Sequence, residues 1–177
     1  LDEIQTGMCR TGEWFAFQHT DITPDIMTLA KDLGNGVPIG ACLAKGVAAE
    51  LFHPGNHGST YGGNPLVCAA ALAVVNTMKT QKLAARSKAL GNTMLAQLKT
   101  DLAENSAVID IRGKGLMLAV ELDRPCGELT QLALDKGLLI NVTADKVVRL
   151  LPPLIISDDQ ATEITQKVSA LIKDFVK

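Results

Sequence analysis

One lysine of the chain stands between a short apolar run and a glycine-rich turn. Residues 26–30 are mostly apolar, follow Pro24 closely and are too few for a stable helix, so the pattern predicts a buried strand. Lys31 comes next, and residues 34–40 then contain three glycines and one proline, which allow close approach of the backbone to a bound group. Removing an ammonium from water lowers its pKa and produces an amine that forms a Schiff base near neutral pH. We therefore predict that Lys31 is a nucleophile shielded from solvent, although an ordinary lysine at a strand end also fits the local pattern.

A polar glycine loop carries two further candidate residues. Residues 57–65 contain Ser59 and Thr60 between glycines and end at Asn64 and Pro65. Asparagine is a preferred helix N-cap and proline a preferred first helical residue, so the pattern predicts a helix that begins at Pro65. Hydroxyl groups just before a helix N-terminus suit a bound anion. A loop that only caps the helix is the alternative interpretation.

An arginine interrupts a strongly apolar segment in the last third of the chain. Arg149 lies within residues 147–151, whose other members are valine and leucine. A guanidinium without a partner would be very costly in such surroundings. The pattern therefore predicts an anionic partner for Arg149 and leaves both a bound anion and a structural ion pair open.

The composition excludes several classes of partner. The chain has 177 residues, enough for one good core or two small ones, and its formal net charge of −2 provides no basic surface for nucleic acid. The apolar runs are too short to span a membrane, and no signal peptide is visible. No histidine or cysteine has the spacing of a metal site, so no metal is expected. Wide spacing also predicts free thiols in a reducing, cytoplasmic environment for the four cysteines, Cys9, Cys42, Cys68 and Cys126.

The first half of the chain has the pattern of an α/β layer. Short apolar strands are predicted at residues 24–30 and 40–44, buried on both faces. The helix Pro65–Thr80 is rich in alanine, valine and leucine, so most of its circumference should be buried. Residues 1–4 should end a strand, and the absence of an initial methionine predicts a piece of a longer protein.

The second half has the pattern of a small α+β domain. An amphipathic helix over residues 82–105 connects the two halves, which gives predicted parts at residues 1–80, 81–105 and 106–177. Gly137 should end one of the later helices, and Ser157 and Gln160 form a capping box that should begin the last one. The remaining elements are predicted as strands at 108–111, 116–122, 138–142 and 147–151 and a helix at 128–136.

Short motifs follow one another in order along the whole chain. They are Asp2-Glu3-Ile4-Gln5-Thr6-Gly7, Arg10-Thr11-Gly12, Pro24-Asp25-Ile26, Leu29-Ala30-Lys31, Gly40, Gly58-Ser59-Thr60-Tyr61-Gly62-Gly63-Asn64-Pro65 and Arg112-Gly113-Lys114-Gly115-Leu116. This ordered set resembles the class III pyridoxal-phosphate-dependent aminotransferases, and it resembles the acetylornithine and succinylornithine branch most closely. The resemblance implies the C-terminal part of an aspartate aminotransferase-like fold of type I, with part of the large α/β domain followed by a small α+β domain.

The resemblance implies roles in binding the cofactor, pyridoxal 5′-phosphate. Asp2 matches the family aspartate beside the ring nitrogen, where a carboxylate keeps that nitrogen protonated. Gln5 matches a position beside the ring hydroxyl, and Glu3 is expected to be structural. Lys31 matches the Schiff-base lysine, which also acts as general base and acid at the substrate carbon. Thr60 matches the residue that contacts the cofactor phosphate in the neighbouring subunit.

The resemblance also implies a substrate class and a homodimer. Ser59 is expected near the substrate, and Arg149 matches the arginine that holds the substrate α-carboxylate with its bidentate fork. Arg10 and Arg112 are expected to be structural. The implied reaction transfers the δ-amino group of N-acetylornithine to 2-oxoglutarate in arginine biosynthesis. Succinylornithine, ornithine and 4-aminobutyrate stay open as donors, and a catalytically silent dimerisation fragment is the alternative from another functional class.

Overall fold

The chain folds as two units, Leu1–Ala84 and Ala85–Lys177, in the computed structural model, which describes all of residues 1–177. The strands are β1 (Ile26–Leu29), β2 (Ala41–Ala44), β3 (Val108–Lys114), β4 (Met117–Leu122), β5 (Asn141–Thr143) and β6 (Val147–Leu150). The helices are α1 (Pro65–Thr80), α2 (Leu83–Asp101), α3 (Leu129–Asp135) and α4 (Asp158–Phe175). Three short 3₁₀ helices cover Ala16–His19, Lys31–Leu33 and Gly46–Glu50. The assignment of residues 1–80, 81–105 and 106–177 to separate parts stays a prediction.

The first unit contains one antiparallel strand pair. β1 pairs with β2, and the chain start adds a single parallel bridge between Asp2 and Thr28 in place of the strand predicted for residues 1–4. The prediction that these strands are buried on both faces is wrong. Only Met27 and Leu29 are buried in β1, because alternate strand residues point to opposite faces and the other face of the pair is uncovered.

Helix α1 has the predicted bounds but not the predicted burial. The Asn64 side chain accepts hydrogen bonds from the backbone N–H groups of Leu66 and Val67 at 3.1 and 3.3 Å, which confirms it as the N-cap. The prediction that most of the helix surface is buried is wrong, since its buried residues are Val67, Ala71 and Met78. The first unit has too few elements to cover an apolar helix on all sides, and Leu66 stays 76% exposed.

The second unit is built on a four-stranded antiparallel sheet in the order β3-β4-β6-β5. The strand pairs predicted from the sequence are present, and their alternation places one apolar face in the core. That face contributes Leu118, Val120, Leu122, Val148 and Leu150, while α2 and α4 contribute Leu90, Met94, Leu98, Val168, Leu171 and Ile172.

Strand β5, at one edge of this sheet, begins later than its sequence pattern predicts. Strand β5 starts at Asn141, whereas residues 138–142 were expected to be extended. Leu138 still belongs to the end of α3, because its N–H bonds to Ala133 O at 2.9 Å while Gly137 N–H bonds to Leu134 O. This is a Schellman motif, in which Gly137 adopts a φ of +71°.

The last helix begins as its capping box predicts. Ser157 Oγ accepts from Gln160 N at 3.1 Å, and Gln160 Oε1 accepts from Ser157 N at 2.9 Å. None of the helices in the chain combines the length and the apolar composition that crossing a membrane requires.

Candidate active site

Lys31 occupies a strained position at the end of β1. It is the first residue of the 3₁₀ helix Lys31–Leu33 and has a φ of +44°, in the left-handed region. A non-glycine residue pays about 1 kcal/mol for this conformation, so the surroundings must hold it there. Leu33 is buried two residues later, and helix α1 packs against this turn.

A tight glycine turn borders the open cavity beside Lys31. The cavity has a volume of about 370 Å³ and is lined by Lys31, Asp32, Asn35, Gly36, Val37, Pro38 and Ile39. A Cβ atom at Gly34 would lie 2.0 Å from the carbonyl oxygen of Val37, so only glycine permits this backbone approach. The glycines after the lysine therefore shape the wall of the cavity.

The prediction that Lys31 is shielded from solvent is wrong for this chain. Its side chain is exposed, because the face of β1 that leads to it is uncovered and the neighbouring cavity is open. It makes no hydrogen bond or ion pair. The structure thus supplies an accessible amine in a constrained turn, and residues 1–177 alone do not shield that amine from water.

The carboxylate of Asp2 is anchored through one oxygen. Its Oδ1 accepts from Ile4 N at 2.9 Å and lies 3.4 Å from the donor Thr28 Oγ1, whereas Oδ2 accepts no hydrogen bond. Asp2 is exposed and bridges to Thr28 through the backbone. Thr28 lies in β1, whereas Lys31 follows that strand in the 3₁₀ helix Lys31–Leu33. Asp2 is not among the residues that line the cavity beside Lys31.

Thr28 was not identified from the sequence as a member of this site. A signal for it does exist, because Thr28 lies between the buried residues Met27 and Leu29 and must therefore point to the opposite face of β1. A threonine on that face next to the catalytic candidate would have been expected to contact a polar neighbour. Its partner in residues 1–3 could not be read from the spacing.

The carboxylate next to Lys31 is bound by a distant arginine. Arg10 donates from Nε at 3.2 Å and from an Nη at 2.9 Å to the same oxygen, Oδ2 of Asp32. The Arg10 residue is only 7% exposed, and this carboxylate compensates its buried charge. This pair was not predicted from the sequence, because 22 positions separate its members.

Glu3 is a buried carboxylate with a structural partner set. It accepts hydrogen bonds from the backbone N–H groups of Ala16 at 3.0 Å and Phe17 at 2.8 Å, and from the Thr6 hydroxyl. These bonds hold the start of the 3₁₀ helix Ala16–His19 against the first turn of the chain. Gln5 is half-buried in that turn, three positions after Asp2.

The Ser59 and Thr60 hydroxyls of the glycine loop lie in the first unit, but neither forms a hydrogen bond with Lys31 or its neighbours in the site. Ser59 Oγ accepts from Gly62 N at 3.0 Å, which tightens the loop before α1. Thr60 is exposed, and its hydroxyl makes no hydrogen bond. Ahead of the α1 N-terminus, the Ser59 hydroxyl is therefore hydrogen-bonded within the loop, whereas the Thr60 hydroxyl can still bind a ligand.

Arg149 lies in the second unit, on the sheet face opposite the core. Its strand neighbours Val148 and Leu150 are buried, whereas Arg149 is half-buried and pairs across the sheet with Ala119 and Asn141. One of its Nη atoms donates to Asn141 Oδ1 at 3.0 Å. The apolar neighbours of Arg149 in the sequence therefore point mainly into the core, on the face of the sheet opposite to the arginine.

A charged network lies on β3 and β4 of the same sheet. Arg112 donates to Asp110 and Glu121 at 2.8 Å each, and Lys146 approaches Glu121 at 3.1 Å. Hydrogen bonds from Arg112 and then Lys146 lower the pKa of Glu121, which therefore stays ionised. This bonding agrees with a structural role for Arg112.

Comparison with known proteins identifies the family. Residues 1–172 match the family described as aminotransferase class III. The chain belongs to the class III aminotransferases. The predictions of the family and of the α/β fold of pyridoxal-phosphate-dependent transferases are confirmed.

Individual relatives extend over more than twice the length of this chain. Acetylornithine aminotransferase 1 of Bordetella bronchiseptica is 53% identical over 176 residues, which cover 99% of this chain and 45% of the relative. The ornithine aminotransferase of Toxoplasma gondii ME49 superposes with a TM-score of 0.93 at 37% identity, covering 98% of this chain and 42% of that one. A second structure of T. gondii ornithine aminotransferase has pyridoxal phosphate at partial occupancy in its active site; its TM-score is 0.90 at 38% identity, covering 96% and 42%.

The cysteines should differ sharply in reactivity. Burial, and to a lesser extent the charge of Asp32, raises the pKa of Cys9 to about 11, and burial also raises the pKa of Cys126. Cys42 and Cys68 are exposed. At pH 8, iodoacetamide should alkylate Cys42 and Cys68 and leave Cys9 and Cys126 unmodified until urea unfolds the chain. Peptide mass spectrometry after timed labelling measures this, and equal rates for Cys9 and Cys42 would contradict it.

Proposed function

We propose that this chain carries the cofactor-binding lysine and the ring-nitrogen aspartate of a pyridoxal-phosphate-dependent acetylornithine aminotransferase. The observation that carries the proposal is the strained, exposed Lys31 beside a cavity, with the Asp2 carboxylate held at Thr28 of the strand that precedes the lysine. The proposed reaction moves the δ-amino group of N-acetylornithine to 2-oxoglutarate, as a step in arginine biosynthesis. The chain spans 45% of the acetylornithine aminotransferase that it resembles, so the proposal concerns a full-length enzyme that contains it.

The chemistry of the available side chains fits pyridoxal phosphate. An accessible primary amine suits its aldehyde, a carboxylate with an open oxygen suits its ring N–H, and hydroxyls ahead of a helix N-terminus suit its phosphate. When bound, the cofactor supplies an electron-withdrawing ring that stabilises negative charge at the carbon bearing the reacting amino group. The proposed roles of residues in this chain are to hold the cofactor and to move the protons.

Asp2 is proposed to keep the ring nitrogen protonated. Its Oδ1 is held by Ile4 N and approached by Thr28 Oγ1, which fixes the plane of the carboxylate and leaves Oδ2 to accept the ring N–H. An ionised acceptor at this position favours the positive charge on its partner. Gln5 is proposed to lie beside the ring hydroxyl.

Lys31 is proposed to bind the aldehyde carbon through Nζ and, once released, to carry a proton from and to the substrate carbon. This role needs an amine that is neutral part of the time near neutral pH. Lys31 is exposed in this chain, so surfaces of a second subunit or of the rest of the full-length enzyme would have to exclude water from its amine.

The substrate-binding and dimer roles are proposed for residues that are not bonded to the Lys31 group. Thr60 would contact the phosphate of a cofactor held by the second subunit, and Ser59 would lie near the substrate. Arg149 would hold the substrate carboxylate with its guanidinium fork. The large exposed apolar side chains near the loop, Phe52 at 72%, Tyr61 at 82% and Leu66 at 76%, support a homodimer, because such patches are usually covered by a partner.

Ornithine is the second candidate for the amino donor. The solved structures with TM-scores of 0.93 and 0.90 are ornithine aminotransferases, whereas the curated relative at 53% identity is an acetylornithine aminotransferase. Succinylornithine and 4-aminobutyrate stay alternatives, and so does a silent dimerisation fragment for the isolated chain. The four free thiols support a reducing, cytoplasmic location.

Attachment of the cofactor to Lys31 can be tested on the 177-residue chain. We expect weak binding and little turnover, but borohydride reduction after adding pyridoxal phosphate should mark the peptide containing Lys31 more than any other lysine peptide. The variant Lys31→Ala should lose this preferred mark. Lys45→Ala removes an exposed lysine of the same unit and should leave it unchanged. Uniform marking of the exposed lysines would remove Lys31 from the proposed role.

The role of Asp2 predicts a defect in proton transfer. In a full-length enzyme that contains this chain, Asp2→Asn should still accept the cofactor on Lys31 but should lower kcat by about 100-fold or more, because the ring nitrogen loses its ionised partner. Asp21→Asn changes another exposed carboxylate and is the matched control. An unchanged kcat for Asp2→Asn would mean that another group protonates the ring.

The substrate assignment predicts an order of amino donors. With 2-oxoglutarate as acceptor, glutamate formation by the full-length enzyme should give the highest kcat/KM for N-acetylornithine, ahead of N-succinylornithine, ornithine and 4-aminobutyrate. A higher value for ornithine would instead favour ornithine aminotransferase. Absence of glutamate formation with all four donors would contradict the substrate assignment.

A further inference from the structure

The ion pair between Arg10 and Asp32 lies directly beside the lysine of the proposed site. Asp32 follows Lys31 in the same 3₁₀ helix, and consecutive Cα atoms are about 3.8 Å apart. Arg10 comes from the first turn of the chain and places two N–H donors on one oxygen of Asp32. The arginine side chain is 9% exposed and that of Asp32 is 35% exposed, so the pair is partly protected from water.

We propose that Arg10 is a positioning residue for Lys31, because it binds the Asp32 carboxylate and thereby keeps that charge from pairing with the neighbouring ammonium. This inference rests on the proposed function only for the identity of the reacting amine. By binding the residue next to Lys31, Arg10 also fixes the turn in which the lysine holds its φ of +44°. One interaction thus controls both the place of the amine and its electrostatic surroundings.

An uncompensated carboxylate at Asp32 would work against the proposed chemistry. A nearby negative charge favours the protonated form of an amine, and a protonated amine cannot attack an aldehyde. Lys31 makes no ion pair in the structure even though a carboxylate follows it immediately, whereas Asp32 is bound by Arg10. The arginine therefore explains how an acidic residue can occupy the position next to a nucleophilic lysine.

The other titratable groups around this turn do not replace Asp32. The Oδ1 atom of Asp2 accepts hydrogen bonds from Ile4 N and Thr28 Oγ1. Glu3 accepts from backbone N–H groups of the Ala16–His19 helix. Cys9 stays a neutral thiol below its raised pKa of about 11. Helix α1, which packs against the turn, contains no charged residue before Lys79.

The proposal predicts opposite effects for the two members of one ion pair. The pH dependence of trace acetylation of Lys31 by acetic anhydride, read by peptide mass spectrometry on the 177-residue chain without cofactor, gives the pKa of its amine. Arg10→Gln should raise that pKa by about half a unit, because Asp32 loses its partner. Asp32→Asn should lower it by a similar amount, because the positive charge of Arg10 is then uncompensated. The double variant should return to the value of the unchanged chain.

A purely structural ion pair would behave differently. Both single variants break the same contact, so a role limited to holding the turn would move the Lys31 pKa in the same direction in both. That result, or the absence of any shift, would overturn the proposal. Far-UV circular dichroism checks that each variant folds; if Arg10→Gln does not, Arg10→Lys should keep the unchanged pKa while Asp32→Asn lowers it, and any other outcome overturns the proposal.

The same measurement separates this inference from the proposed function. Acetylation reports on the amine without any cofactor. Opposite pKa shifts together with no cofactor attachment at Lys31 would retain the electrostatic role of Arg10 and reject the cofactor lysine. Cofactor attachment at Lys31 without opposite pKa shifts would retain the cofactor lysine and reject the electrostatic role of Arg10.

Discussion

The short ladder of hydrogen bonds between the chain start and β1 holds the candidate site of the first unit together. Thr28 N donates to Leu1 O and Glu3 N donates to Thr28 O, both at 3.0 Å. Because residues 1–3 are tied to β1 in this way, Asp2 is placed beside the strand that precedes the Lys31–Leu33 helix. The turn that follows also brings Arg10 to the Lys31–Leu33 helix. Asp2 thereby contacts β1, and Arg10 contacts the helix that carries Lys31.

The acidic residues around β1 and the Lys31–Leu33 helix differ in the hydrogen bonds that their carboxylate oxygens accept. Glu3 is buried, and its carboxylate accepts from three donors, so it serves the fold. Asp32 is committed to the guanidinium of Arg10. Asp2 alone of these three is exposed; its Oδ2 accepts no hydrogen bond, and no guanidinium binds its carboxylate. Satisfied carboxylates stabilise local structure, whereas an anchored but incompletely satisfied one is suited to bind a partner.

The two units differ in how completely their apolar surfaces are covered. The second unit covers one face of its antiparallel sheet with α2 and α4, and its capping box and Schellman motif satisfy the helix ends. The first unit has only two short strands and one apolar helix, so Leu66 and Leu72 stay 76% and 61% exposed. This uncovered surface lies in the unit that carries Lys31, and the same lack of covering elements leaves the lysine in water.

Local sequence signals determined much of this protein. The pair Asn64-Pro65 and the capping box at Ser157 placed the starts of α1 and α4, and the ordered motifs identified the family, because caps and motifs act within a few residues. Only the tertiary structure decided that Asp2 bonds to Thr28, that Arg10 binds Asp32 and that Lys31 is exposed. Those features depend on which distant segments meet and which surfaces remain uncovered. Hydrophobic composition shows that a segment can be buried, but burial itself requires a neighbour that covers it.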